Sequence, residues 1–319
     1  MKRGSHETLP QITGRSSHTH NMPNLRGLGK YSLQLSPNCH ALKGRMTIIS
    51  RFAPSPTGAL HLGHAYSAWL GRQRADVWHV RLEDIDATRC KPEFAAGILD
   101  DLAWLGLPWE GEVRVQSAHF ADYAGWLANL EARALLYPCF CTRAEITRAQ
   151  SAPHAPEAVY PGTCRQLSPQ ARQQRIEAGH PYALRLHTAR ACQTVRNLRF
   201  FDENLGWVEA QPQRFGDVVL ARKDTPSSYH LCVVHDDALQ GITHVIRGED
   251  LLESTHIHVL LQRLMGVETP LYHHHKLLRD AQGQRLAKRN KAQTLSALRQ
   301  SGVTPAQIWQ QFGSAGNFG

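Results

Sequence analysis

At 319 residues with a formal charge of +9, the chain is long enough for two domains or for one large domain with an insertion. Seven cysteines, an odd number in a chain this long, exclude a disulfide-stapled scaffold and point to a reduced compartment. No stretch approaches the roughly 18 consecutive apolar residues of a membrane span, so a cytoplasmic protein with no membrane partner is expected.

Residues 1–45 hold seven Lys/Arg and one Glu and show no apolar run or period. They are expected to be a disordered extension, with the folded chain beginning at Met46. The remainder carries only 29 basic against 26 acidic residues, so charge alone does not name a partner. Ile48, Ile49 and Phe52 then predict a strand, which Pro54, Pro56 and Gly58 end because proline cannot donate to a ladder. From Leu60 to about Ala75 the residues Leu62, Ala65, Trp69 and Leu70 recur at helical spacing, placing His61 and His64 on one face of the first turn. Unpaired helix N–H groups and two imidazoles aimed at one spot favour an anion, and in open α/β sheets nucleotide phosphates bind at such strand-to-helix turns.

The segment VWHVRLEDID predicts a second strand and completes a βαβ unit. Its end is expected to deliver Glu83, Asp84 and Asp86 together beside the anion site. Pro92 to Leu105 reads as a helix opened by proline and closed by Gly106, and Trp126 to Leu136 as another. From Tyr137 to about Pro212 the composition turns to Pro, Gly, Gln and Arg with short strands such as YALRLH, the mark of an insertion interrupting a parallel sheet. The sheet resumes with a helix over SSYHLCVVHDDALQ, a strand in ITHVIRGEDL, a helix in ESTHIHVLLQRLMG and a strand in LYHHHKLL. A hairpin turn at DAQGQ, a mobile loop at RLAKRN and two short helices follow. Within the insertion, Cys139, Cys141 and Cys164 could supply three thiolates to a tetrahedral zinc, or be buried structural cysteines.

The stretch from Arg51 to His64, RFAPSPTGALHLGH, resembles the signature of the glutamyl branch of class I aminoacyl-tRNA synthetases. RLEDID and RLAKR resemble later motifs of that family, so the likeness runs from about Thr47 to Gln300. It implies an α/β fold: a Rossmann-like parallel-sheet nucleotide-binding core with a zinc-containing insertion. The core would occupy 46–136 and 213–319, and the insertion 137–212. It implies that His61 and His64 hold the triphosphate of ATP, brought with Mg2+, that Gly63 lets adenosine approach the helix, and that Lys288 stabilises the leaving phosphates. In RLAKR, Arg285 stands where the family has its first lysine and Ala287 where it has a serine. Glu83 would take the ammonium of L-glutamate. Arg51 and Arg247 would take its carboxylates through the guanidinium fork, with Tyr229 and Ser55 in the matching positions. Taken singly, Tyr229 could be a core aromatic, and Arg247 could pair with Glu249 or Asp250. The cysteine arrangement resembles a Cys, Cys, Tyr, Cys site of one synthetase-like subfamily, which makes Tyr160 the fourth zinc ligand and His154 the alternative.

A separate anticodon-binding domain needs at least about 50 residues, and 29 follow Asn290. A catalytic core without an anticodon reader is therefore expected. Together with the cysteine insertion this resembles the glutamyl-queuosine tRNA(Asp) synthetase family. The resemblance implies a monomeric ligase that activates glutamate without tRNA and transfers it to the queuosine base of tRNA(Asp). The alternatives are an ordinary glutamyl-tRNA synthetase, an HxGH nucleotidyltransferase and a non-catalytic zinc-containing RNA-binding module.

Overall fold

The computed structural model describes residues 47–142, 144–146, 159–278 and 293–315. The chain divides into two units, Met1–Arg45 and Met46–Gly319, and all described residues lie in the second. Among them no helix is long and apolar enough to cross a membrane.

The chain opens with β1 (Ile49–Phe52), α1 (Leu62–Arg74), β2 (Val77–Leu82), α2 (Pro92–Trp104) and β3 (Arg114–Val115). β1 pairs parallel with β2 and β2 parallel with β3, so each helix is the crossover that a parallel pair requires. Pro92 opens α2, where its missing N–H costs nothing, and Gly106, at φ 68°, lies just beyond the helix. Ala65, Ala68, Trp78, Val80, Ile98 and Leu102 form the core between these layers.

After α3 (Phe120–Ala132) come β4 (Leu136–Cys139), α4 (Pro169–Glu177), β5 (Ala183–Leu186), α5 (Thr188–Thr194), β6 (Arg199–Asp202), β7 (Gly206–Glu209) and β8 (Val219–Ala221). β4, β5 and β8 make an antiparallel three-stranded sheet. The helix expected over Trp126 to Leu136 begins six residues earlier and ends at Ala132. Ala134 takes the left-handed conformation (φ 51°) beyond the helix, while the Leu135 N–H closes back on Leu130 O. That stop is usually made by glycine, and no glycine marks it here.

The chain then returns to the parallel layer through α6 (Tyr229–Leu239), β9 (His244–Gly248), α7 (Leu252–Met265) and β10 (Leu271–His275), followed by α8 (Leu295–Gln300) and α9 (Pro305–Ala315). β10 lies parallel to both β9 and β6, and β7 pairs antiparallel with β6. Strand pairing therefore crosses residue 212 in both directions: β6 and β7 precede it yet join the sheet of β9 and β10, whereas β8 follows it and joins β5. The sheet of β1, β2 and β3 adjoins that of β9 and β10 where the Thr243 N–H donates to Ile49 O at 3.0 Å and the Ile49 N–H to Thr243 Oγ1 at 2.9 Å. β1 and β9 thus flank the point at which strand order reverses, and ligands of open α/β sheets bind outside the carboxyl ends of such strands.

Candidate active site

A cavity of about 420 Å3 opens at those strand ends, and Arg51, Ser55, His61, Gly63, His64, Glu83, Tyr229 and Arg247 all line it. The turn after β1 is held in place by its own carbonyls: Pro54 O accepts the Glu83 N–H and Pro56 O the Lys91 N–H. That fixes Ser55 between the ends of β1 and β2.

The histidines sit differently from two neighbours on one helical face. His61 is the N-cap, in extended conformation, and its Nδ1 accepts the Gly63 N–H at 3.1 Å; His64 Nδ1 accepts the His61 N–H at 3.3 Å. This reciprocal capping box satisfies two of the N–H groups expected to point at an anion. Because both Nδ1 atoms act as acceptors, the neutral rings carry their protons on Nε2. The rings lie 3.9 Å apart. The local positive character therefore comes from paired imidazole donors as well as the helix end.

The three acids after β2 do not act together. The Glu83 carboxylate is buried on the cavity wall, whereas Asp84 accepts from the Ser117 N–H and hydroxyl at 2.8 and 2.6 Å, and Asp86 accepts from Thr88 and Arg89. β2 ends at Leu82, so the following residues leave the ladder and turn to different partners. Burial pushes the Glu83 carboxyl up to about 7, against the lowering pull of Arg81 and Arg51.

Those arginines are occupied by a residue that the sequence reading passed over. Arg51 donates from Nε and Nη2 to Asp237 at 2.8 and 3.3 Å, and the fully buried Arg81 donates from Nη2 to Asp237 at 2.7 Å. Burial opposes the Asp237 charge, but Arg51 and Arg81 outweigh it and hold the carboxyl below its ordinary value. Its neighbour Asp236 accepts from Arg114, Gln116, Tyr123 and His235. The available signal was a pair of acids inside the apolar helix VVHDDAL, a position that demands compensation.

Arg247 contrasts with Arg51. Its contacts among the described residues are uncharged: the Nε–H donates to His274 Nε2 at 3.1 Å, and Nη2 to Thr255 Oγ1 at 2.7 Å and Leu251 O at 3.2 Å. Nη1 lies 3.4 Å from the Tyr229 hydroxyl and 3.5 Å from His258 Nδ1. The expected alternative of pairing with Glu249 or Asp250 is absent from these contacts. Tyr229 opens α6 and lines the cavity rather than serving only as core. Burial, then the Arg247 charge, lowers His230 and His274 to about 4 and His258 well below the usual imidazole range. Gly248 also lines the cavity, where an added Cβ would come within 2.5 Å of Asp250 and 2.8 Å of Leu277.

Lys288 and the RLAKR loop lie outside the described residues. The chain reaches that segment along Leu277 and Leu278, both on the cavity wall, and after it Thr294 bridges to His61 while the Leu295 N–H donates to Leu60 O.

A second cavity, of about 480 Å3, shares Ser55, Thr57, Glu83 and Tyr229 with the first and extends to Tyr160 and Arg185 of the insertion and to Asp217 beyond it. There Cys139, Cys141 and Cys164 place their sulfurs within 4.8 Å of one another, with Cys141 and Cys164 at 3.4 Å and unbonded. The Tyr160 hydroxyl lies 3.6 Å from Cys141 Sγ and accepts the Cys164 N–H at 2.8 Å. Sulfurs around a tetrahedral zinc stand about 3.8 Å apart, so three sulfurs and a phenol oxygen converge at the spacing such an ion needs. Burial pushes Cys141 up to about 11. It also opposes the Cys164 thiolate, but the Phe140 N–H, Tyr160 and Cys141 outweigh it and lower that thiol. His154 lies outside the described residues.

The model of the class I tRNA synthetase (E and Q) catalytic domain matches residues 47–316. A glutamyl-Q tRNA(Asp) synthetase of Rhodobacter capsulatus is 46% identical over 280 residues, covering 83% of this chain and 100% of that protein. One from Symbiobacterium thermophilum is 41% identical, covering 82% and 84%. Among solved structures, a glutamate-tRNA synthetase from Elizabethkingia anophelis superposes with a TM-score of 0.67 at 27% identity, over 76% of this chain. The chain spans about half of that synthetase, 53% of its length. A parallel α/β core bearing the HxGH cap, matched along almost the whole described length, makes this chain a ligase of the glutamyl-Q tRNA(Asp) synthetase family, within the class I synthetases for glutamate and glutamine.

Proposed function

We propose that the enzyme activates L-glutamate with ATP in the absence of tRNA and transfers the glutamyl group to the queuosine base of the tRNA(Asp) anticodon. The observation that carries this reading is Arg247, a buried guanidinium whose partners among the described residues are uncharged, on a cavity that also holds the His61/His64 cap and Glu83. A buried charge needs a counter-charge, and a substrate with a second carboxylate supplies one. Arg51 has committed Nε and Nη2 to Asp237, so its Nη1 is the group for the other carboxylate. Glu83 takes the ammonium, with Tyr229 and Ser55 completing the pocket.

In the first half-reaction a carboxylate oxygen of glutamate attacks the α-phosphorus of ATP, the bond to the β-phosphate breaks and pyrophosphate leaves. His61 and His64 hold the phosphates through Nε2–H, Gly63 leaves room for the adenosine, and Lys288 neutralises the charge developing on the leaving group. Mg2+ bound to the ATP would supply further neutralisation of its phosphates. In the second half-reaction a hydroxyl of the acceptor attacks the mixed anhydride and AMP leaves. The acceptor approaches through the cavity that runs from Glu83 and Tyr229 to the insertion. Cys139, Cys141, Cys164 and Tyr160 would hold a structural zinc, which would fix Tyr160 on that wall. The relatives named for glutamyl-Q support this choice of acceptor.

The experiment supplies radiolabelled glutamate with queuosine-containing tRNA(Asp), with matched tRNA lacking queuosine, and with tRNA(Glu). Label is expected only on the first, remaining with the anticodon stem-loop after nuclease cleavage, and glutamate-driven ATP–pyrophosphate exchange should proceed without any tRNA. Label on the 3′-terminal adenosine of tRNA(Glu) would favour the second reading, an ordinary glutamyl-tRNA synthetase, which the likeness to the Elizabethkingia enzyme makes the main rival.

A further inference from the structure

The Nε–H of Arg247 ends on a ring nitrogen whose availability is decided by a third residue outside the cavity. His274 Nδ1 lies 2.6 Å from Asp202 Oδ2. An ionised carboxylate can only accept, so the proton of the neutral ring is on Nδ1 and the Nε2 lone pair faces the Nε–H of Arg247, 3.1 Å away. Asp202 is fully buried and firmly held: Oδ1 accepts from the Asn204 and Leu205 N–H groups at 2.9 and 3.2 Å, and Oδ2 also accepts the His274 N–H at 3.2 Å. The imidazole lies flat on Tyr272, at 5.6 Å between centroids and 4° between planes. β6, β10 and β9 thus contribute Asp202, His274 and Arg247 in sequence across adjacent strands.

We infer that Asp202 and His274 are positioning residues for Arg247, fixing the rotation of its guanidinium so that Nη1 meets the carboxylate of the amino acid. The inference rests on the reading of Arg247 given above. The geometry supports it in two ways. Anchoring Nε removes the last free torsion of the arginine, and the Nη2 donation to Thr255 at 2.7 Å fixes the plane from the other side. The imidazole also places the negative charge of Asp202 one ring away from the guanidinium. Direct pairing of Asp202 with Arg247 would supply the counter-charge from within the chain; the intervening neutral ring supports the cation and leaves Nη1 to the substrate. Burial and the Arg247 charge keep His274 neutral near physiological pH, despite the opposing pull of Asp202. An imidazolium would turn Nε2–H against Nε–H and break the arrangement.

A purely structural Asp–His pair tying β6 to β10 would also be buried, so the test must read glutamate binding separately from folding. Glutamate-dependent ATP–pyrophosphate exchange is measured on the full chain with His274→Phe, which keeps the ring but has no acceptor, with His274→Gln, whose amide oxygen can accept, and with Asp202→Asn. His274→Phe is expected to raise KM for glutamate about tenfold or more, as befits loss of a hydrogen bond to a charged group, with KM for ATP within about twofold. His274→Gln should recover at least half of that effect on a logarithmic scale, and Asp202→Asn should raise KM for glutamate several-fold. An unchanged KM for glutamate in folded His274→Phe, or equal rises for glutamate and ATP, overturns the inference. Should His274→Phe fail to fold, Asp202→Asn decides by the same criteria. Arg247→Ala is run alongside: if it too leaves KM for glutamate unchanged, the reading of Arg247 has failed rather than the positioning role of its neighbours.

Discussion

Two buried polar clusters in this molecule solve the same problem differently. Between β1, β2 and α6, the charges of Arg51 and Arg81 meet Asp237, and Asp236 is closed off by Arg114, Gln116, Tyr123 and His235. Each carboxylate there finds a cation within the chain. In the insertion, by contrast, three cysteine sulfurs and the Tyr160 oxygen, all of them metal-ligating atoms, crowd together. Among the described residues the surrounding packing is thin: the buried members of that cluster are Tyr137, Cys139, Tyr160 and Cys164, two of them cysteines of the site itself. A cluster completed by its own residues belongs to the scaffold, and one left incomplete marks a place for something from outside. Arg247 belongs to the second kind.

The largest expected effect tests this contrast directly. Structural zinc is worth roughly 10 to 16 kcal/mol in small peptides at neutral pH, so removing it should unfold the insertion while the parallel sheet persists. Protein prepared without chelator should carry close to one equivalent of zinc. On chelation, or in Cys164→Ser, amide-exchange protection should vanish from β4 and β5 and remain in β1 and β2. Less than about a tenth of an equivalent of zinc would remove the contrast, since the cysteine corner would then be stable alone.

A smaller effect is expected on the self-contained side. Asp237→Asn keeps the shape but leaves Arg51 and Arg81 facing each other without their carboxylate, and breaking a buried pair in this way costs about 3 to 5 kcal/mol. The denaturation midpoint of the sheet should fall while the zinc content stays unchanged. A loss below about 1 kcal/mol would mean that the network is not self-neutralised as described.

These two clusters also differ in how readable they were. The three cysteines lie in one segment and RFAPSPTGALHLGH in another, so a candidate metal site and an anion site could each be read locally, while the assignment of ligands and of ATP came from the family resemblance. The parallel strands could be read from their apolar runs, and the two ends of α2 from Pro92 and Gly106. Asp237 acts on Arg51 from 186 residues away and Asp202 on His274 from 72, and no local period encodes either. The pairing of β6 with β10 and of β8 with β5 was hidden for the same reason. The end of α3 was misread because Ala134 does the work of a glycine.

The smallest effect sharpens the boundary between the two kinds of cluster, because Glu83 lies on it. It is 3.6 Å from Arg81, yet Arg81 is already committed to Asp237, so burial prevails and its carboxyl stands near 7 rather than 4.5. The folded state therefore binds a proton more tightly than the unfolded chain between about pH 4.5 and 7, and this group's contribution to stability falls as pH rises through that window. Glutamate should act in the opposite direction. An ammonium beside Glu83 favours the carboxylate, so binding expels the proton and tightens as the group ionises. From pH 6 to 8 the ionised fraction rises from about a tenth to nine-tenths, and KM for glutamate should fall about tenfold over that range. In Glu83→Gln the glutamate KM should be higher throughout and this dependence should be lost. A wild-type KM for glutamate that is flat across this range, while exchange remains measurable, would place the ammonium elsewhere and leave Glu83 as one more member of the closed network.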